Sequence, residues 1–218
     1  MARESLKSKR ERALAVCERM AEHYPDPRPQ LEFGGDPFRL AIAVMLSAQT
    51  TDASVNKVTP VLWERYPAIE DLAAADLADV EEILHSLGFF RSKASNCIKC
   101  AQMVISDYGG EVPRDIDEMQ ALPGIGRKSA NIVTSVAFGD VRGIAVDTHV
   151  FRIAHRLKLS NAKDPSGTEQ DLLKEIPPEL WGGVNIRWIL FGRAICTAQR
   201  PKCGECFLAD LCPSAGKC

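Results

Sequence analysis

The chain has 218 residues, of which 45% are hydrophobic and 26% charged, and its formal net charge is −2. That balance supports one or two packed domains and excludes a mostly disordered chain. The longest strongly apolar stretch, about Leu40 to Ala48, is roughly half of the ~20 residues a membrane span needs, so no membrane partner is expected. The N-terminal segment mixes both charge signs and has no apolar run behind it, so no signal peptide is read. A reducing cytoplasmic compartment is expected, nucleoid-associated if the source is bacterial, and the eight cysteines are not read as four disulfides. Bulk charge gives no support for a nucleic-acid binder, but its distribution is uneven. Between Pro67 and Phe90 stand six acids and no Lys or Arg; between Asn185 and Cys203 stand four bases, Arg187, Arg193, Arg200 and Lys202, and no acid. Solvated helix faces account for such runs, as does one basic surface opposite an acidic one.

The apolar period is helical nearly everywhere. Ala13, Val16, Met20 and His23 continue one face of a first helix, with Cys17 expected in the core. Phe38, Ile42, Met45 and Leu46 do so for a second, opened by Asp36-Pro37, a cap followed by proline at the first helical position. Further helices are expected over about Ala53 to Trp63, Asp76 to His85, Ser92 to Tyr108, Arg127 to Phe138, Thr148 to Leu157 and Glu179 to Cys196. In the last, Val184, Trp188, Phe191 and Ile195 form a buried stripe. No segment alternates long enough for a strand, so the fold class is all-α with about ten short helices.

Cys97-Ile98-Lys99-Cys100 is a C-x2-C inside a helical stretch, read as two half-buried cysteines with a redox or metal role as the alternative. Leu122-Pro123-Gly124-Ile125-Gly126-Arg127-Lys128 joins two helices. Gly124 and Gly126 permit a tight turn and close approach of a ligand, and the next helix presents free backbone N–H groups, so the segment reads as a helix-hairpin-helix gripping a DNA backbone. Lys128 then stands where the helix dipole disfavours a cation. It is either a phosphate contact or a lysine whose neutral amine attacks carbon. Asp147 precedes a helix, which suits an N-cap, a catalytic carboxylate, or both. His149 is read first as a packed or phosphate-contacting histidine. Cys196, Cys203, Cys206 and Cys212, spaced C-x6-C-x2-C-x5-C, imply a metal centre; the spacing leaves zinc open but favours a [4Fe–4S] cluster, because only one short knuckle is present. Cys218 is expected to be an exposed thiol.

Four segments taken together resemble the endonuclease III family of bifunctional DNA glycosylases: Val44-Met45-Leu46-Ser47-Ala48-Gln49-Thr50-Thr51-Asp52, Leu122 through Ala130, Val146-Asp147-Thr148-His149, and the four-cysteine ladder. The resemblance covers about Arg10 to Pro213. It implies two helical lobes, a six-helix barrel with the helix-hairpin-helix over 30–139 and an iron–sulfur domain over 1–29 and 140–218, with the active site in the cleft between them. It implies base excision of oxidised pyrimidines from duplex DNA and strand cleavage at abasic sites, by a monomer that needs no divalent metal. Lys128 would be the Schiff-base nucleophile and Asp147 the carboxylate that stabilises the cationic sugar. Gln49 would fill the space of a flipped base, and Phe89 or its neighbour would wedge the opposite strand. Gly124, Gly126, Arg127, His149, Arg193 and Lys202 would lie along the DNA, with Arg187 and Arg200 within reach of phosphates. An adenine- or thymine-mismatch glycosylase of the same superfamily fits less well, because the adenine branch typically lacks the hairpin lysine. A non-catalytic iron–sulfur DNA-binding protein is the reading from outside enzymology.

Overall fold

The computed structural model describes residues 4–27 and 30–217; Cys218 lies outside them. Among the described residues there are eleven α-helices and no strand: α1 (Leu6–His23), α2 (Pro37–Leu46), α3 (Asp52–Arg65), α4 (Ile69–Ala73), α5 (Leu77–Leu84), α6 (Phe90–Tyr108), α7 (Ile116–Ala121), α8 (Arg127–Phe138), α9 (Thr148–Arg156), α10 (Pro165–Glu175) and α11 (Trp181–Ala194). The chain divides into two compact units, one of Met1–Arg28 with Val141–Cys218 and one of Pro29–Asp140.

The second unit holds α2 to α8 around α2. Residues Leu40 to Leu46 are all buried, because α2 is apolar on every side and packs against α3, α6 and α8. Asp36 caps α2 as expected, its carboxylate accepting from the N–H groups of Phe38 and Arg39. Thr51 and Asp76 cap α3 and α5 in the same way. Cys97 and Cys100 share the inner face of α6, but both are fully buried, not half-buried. Burial pushes both thiols up, Cys100 to about 12, so neither is a ready thiolate.

The first unit packs α1, α9, α10 and α11 around Met20, Ile153 and Trp188, which are almost completely buried. Val184, Trp188 and Phe191 form the expected stripe; Ile195 is only half-buried, because α11 ends at Ala194 and the chain turns away. Ala13, Val16, Cys17 and Met20 are the buried face of α1, whereas His23 is not part of it. At the helix's last position its ring lies flat on Phe207, with centroids 3.7 Å apart. Sequence periodicity did not indicate α4, α7 or α10. The first two are little more than one turn each. In α10 the buried face includes Thr168, Glu169 and Glu175, so it carries no apolar stripe to detect. Glu175 is held by Lys9 at 3.2 Å and Arg10 at 3.7 Å.

Trp188→Ala should destabilise the protein by about 3–5 kcal/mol in urea unfolding, the loss common for a fully buried aromatic. Leu6→Ser, at a position 71% exposed, should stay within about 0.5 kcal/mol of the parent in the same titration.

Candidate functional site

The hairpin between α7 and α8 is anchored by Leu122 and Ile125, both buried, and closed by the Ile125 N–H donating to the Leu122 carbonyl at 3.0 Å. Its two glycines do different work. Gly124 has φ +80°, and a Cβ there would stand 2.5 Å from Met45 Sδ and 2.9 Å from Asn96 Nδ2, so both backbone and packing require glycine. Gly126 has an ordinary φ of −94°, is exposed and faces open space. It is the N-cap of α8, and as a glycine it brings no side-chain cap to that helix end. Arg127 and Lys128 occupy the first two positions of α8, half-exposed; Arg127 Nη1 lies 3.9 Å from Asp117 Oδ1.

Asp147 is the N-cap of α9. Its Oδ1 accepts both cap bonds, from His149 N at 2.9 Å and Val150 N at 2.8 Å, so Oδ2 is outside the cap. His149 is half-buried on the same turn. Arg152 Nη2 donates to His149 Nδ1 at 3.1 Å, and burial, with Arg152 and Arg193 nearby, outweighs Asp147 and lowers the histidine pKa. Because a guanidinium only donates, Nδ1 is the acceptor of this bond and the ring's N–H is on Nε2. Gly192 permits this arrangement, since a Cβ there would stand 2.6 Å from His149 Nδ1.

The same helix leads to the cysteines. Arg152 Nη2 also donates to the carbonyls of Gly192 at 3.2 Å and Cys196 at 2.9 Å. One turn on, Arg156 Nη1 donates to Cys196 Sγ at 3.3 Å and to the Thr197 carbonyl at 2.6 Å. Cys196, Cys203, Cys206 and Cys212 together line a cavity walled by Ile153, Leu157, Phe191 and Leu208. Burial pushes the Cys206 thiol up, and Cys196, Cys212 and Cys203 each push it further, as close like-charged neighbours do. Among the described residues no three His, Cys, Asp or Glu side chains converge closely enough to hold a metal ion. Arg152 and Arg156 were not singled out by sequence reading, although their four-residue spacing on the helix opened by Asp147 places them on one face.

Gln49 and Phe89 are both exposed, and both are non-glycine residues in the left-handed region, at φ 54° and 59°. Such backbone is uncommon outside glycine, asparagine and aspartate. Of the basic run, Arg193, Arg200 and Lys202 are exposed. Arg187 is half-buried, and its Nε donates to the Tyr24 carbonyl at 3.1 Å, so it serves the packing of α1 on α11 instead of a surface.

Comparison with known proteins gives two family matches. Residues 42–178 match the HhH-GPD superfamily of base excision DNA repair proteins, and residues 196–212 match the iron–sulfur binding domain of endonuclease III. The endonuclease III of a Synechocystis species is 46% identical over 208 residues, covering 95% of this chain and 94% of the relative. That of Bacillus subtilis is 49% identical over 183 residues, covering 84% and 83%. A solved structure of a trapped endonuclease III–DNA covalent intermediate superposes with a TM-score of 0.88 at 45% identity, covering 98% of each chain. The iron–sulfur match spans the four cysteines from first to last, and the superfamily match contains the hairpin, Lys128 and Asp147. The chain belongs to the endonuclease III family of the HhH-GPD superfamily of base excision DNA repair proteins.

Proposed function

We propose that the protein is a base-excision repair glycosylase that removes oxidised pyrimidines from duplex DNA and then cleaves the strand at the abasic site. The observation that carries this reading is the near full-length likeness to a protein caught covalently joined to DNA, in a chain that places an amine, Lys128, on the first turn of the helix after an exposed glycine hairpin.

The target nucleotide leaves the stack at a cost of about a few kcal/mol, less when the base is damaged and stacks poorly. Gln49 fills the vacated space and Phe89 wedges the opposite strand. Gly124, Gly126 and Arg127 position the backbone of the DNA without reading its sequence, with His149, Arg193 and Lys202 along the same duplex. The amine of Lys128 attacks C1′. The base leaves with the electrons of its glycosidic bond and takes a proton, and the ring opens to an imine between lysine and sugar. Removal of a proton from C2′ then expels the 3′ phosphate and cuts the strand. Asp147 stabilises the positive charge that develops on the sugar, through the oxygen its cap does not use. The protein acts as a monomer on damaged or abasic duplex in the cytoplasm, at the nucleoid in a bacterial cell. No helix among the described residues is long and apolar enough to cross a membrane.

The resident group is read as a [4Fe–4S] cluster held by Cys196, Cys203, Cys206 and Cys212. The match of residues 196–212 to the iron–sulfur binding domain of endonuclease III supports this reading, and all four cysteines line one cavity. The cluster supplies a cross-link for a loop with little core of its own. Changing Cys97 and Cys100 together to Ala should leave iron per chain unchanged, whereas Cys203→Ala should lower both iron and soluble yield. Iron that falls equally in both proteins would put the ligands elsewhere.

Borohydride added during reaction with thymine-glycol or abasic duplex should leave a protein–DNA adduct that survives denaturation. Lys128→Gln should abolish it while damaged-duplex binding persists. Asp147→Asn, which keeps most of the capping ability, should slow base release by roughly 10²–10⁴-fold. Adduct persisting in Lys128→Gln would move the nucleophile to another amine.

The glycines separate fold from binding. Gly126→Ala should melt within a few degrees of the parent, because a methyl there meets nothing, yet should weaken binding to undamaged and damaged duplex alike. Gly124→Ala should lower thermal stability, and the two melting curves measured side by side check the distinction.

A further inference from the structure

Lys93 lies one turn into α6 and is 5% exposed. Lysine is almost never so buried without a partner. No carboxylate among the described residues is recorded in an ion pair with it. Its Nζ donates to Thr50 Oγ1 at 2.6 Å. Burial lowers its pKa, with the Cys97 thiol opposing. An apolar side chain of the same length would be the ordinary choice in such packing, so this hydrogen bond is what the position retains.

Both ends of that bond abut strained backbone. Thr50 follows Gln49, and its hydroxyl donates in turn to the Ala48 carbonyl at 3.4 Å, so the relay from Lys93 through Thr50 to Ala48 brackets Gln49 on both sides. The Thr50 N–H closes the turn onto the Ser47 carbonyl at 3.1 Å. At the other end, the Lys93 N–H donates to the carbonyl of Phe89 at 3.1 Å, and Phe89 is the left-handed N-cap of α6 with its ring 67% exposed. Left-handed non-glycine residues are strained and persist where surrounding contacts over-determine them. Lys93 joins the contacts at both of them, through its side chain at the Gln49 turn and through its backbone N–H, the first bond of α6, at Phe89.

We infer that Lys93 and Thr50 form a strut that fixes Gln49 and Phe89 relative to each other, making Lys93 a positioning residue for nucleotide flipping. The inference rests on the proposed function, in which those two residues enter the duplex. It requires no contact between Lys93 and DNA. The amine is spent on Thr50, and its part is to tie the turn that carries Gln49 to the start of α6, which carries Phe89.

The test uses Lys93→Met, which keeps length and apolar bulk, Thr50→Val, which keeps shape but removes the acceptor, and Thr50→Ser, which restores it. Lys99→Met, at an exposed position of the same helix, is the control. Flipping is read by stopped-flow fluorescence of 2-aminopurine beside thymine glycol in duplex. Chemistry is read separately by the rate of borohydride trapping on single-stranded abasic DNA, which has no stack to open. Lys93→Met and Thr50→Val should slow flipping and lower kcat/KM on duplex by roughly 10- to 100-fold, the loss expected when a site is misplaced by about 1 Å. Both should trap single-stranded DNA at the parental rate, and Thr50→Ser and Lys99→Met should match the parent on duplex. Wild-type flipping in both Lys93→Met and Thr50→Val overturns the strut, as does equal slowing on single-stranded DNA. Should Lys93→Met fail to fold, Thr50→Val against Thr50→Ser decides, because Thr50 is only partly buried. A parent protein that neither flips nor traps would fail the functional reading itself, a result distinct from parental activity with unaffected variants.

Discussion

The carbonyl oxygens of the four-cysteine segment are met by arginines. Arg152 and Arg156 on α9 bond the carbonyls of Cys196, Thr197 and Ala198. From α1, Arg12 bonds the Leu157 carbonyl and reaches that of Leu211, and Arg19 bonds that of Phe207 while pairing with Asp210. A loop built from Pro201, Gly204 and short 3-10 turns has no ladder in which to spend its backbone acceptors, and buried carbonyls left unpaired are costly. Guanidinium groups suit the task because each carries several donors in a fixed plane and keeps its charge. The N-terminal helix thereby becomes part of the cysteine domain although about 190 residues separate Arg19 from Asp210 in the chain.

This arrangement gives α9 two tasks along nine residues. Its N-terminus is fixed by the Asp147 cap, whose geometry aims the carboxylate as it satisfies the first-turn N–H groups. Further along, its arginines hold the segment that carries Cys196. Asp147, His149, Arg152 and Cys196 are thus joined by successive hydrogen bonds. The candidate carboxylate and the cysteine segment are thus both tied to one short helix.

In the other unit the corresponding constraint is the all-round apolar α2. Buried on every side, it fixes where the chain emerges at Ser47, and hence where the left-handed turn at Gln49 begins. The same helix supplies Met45, against which Gly124 of the hairpin is packed. The Gln49 turn and the hairpin, both candidate contact loops, therefore take their positions from one buried element.

Much of this was legible in the residue order because the signals are local. Asp36-Pro37 opened a helix, the α11 stripe marked a core face, and Gly124 with Gly126 marked the hairpin, since capping, periodicity and glycine turns act over a few residues. The four cysteines were legible by spacing, and the comparison with known proteins placed the chain in the family the motifs resembled. Other features came only from tertiary structure. No local rule separates a glycine that must be left-handed beside Met45 from one that faces open space two residues on. None distinguishes Arg187, turned inward to Tyr24, from Arg193 and Lys202, which face outward. The burial of Lys93 against Thr50, 43 residues earlier, and the capture of the cysteine loop by α1 are likewise invisible in sequence. Partner choice over such separations depends on how helices pack, and packing is a property of the folded chain.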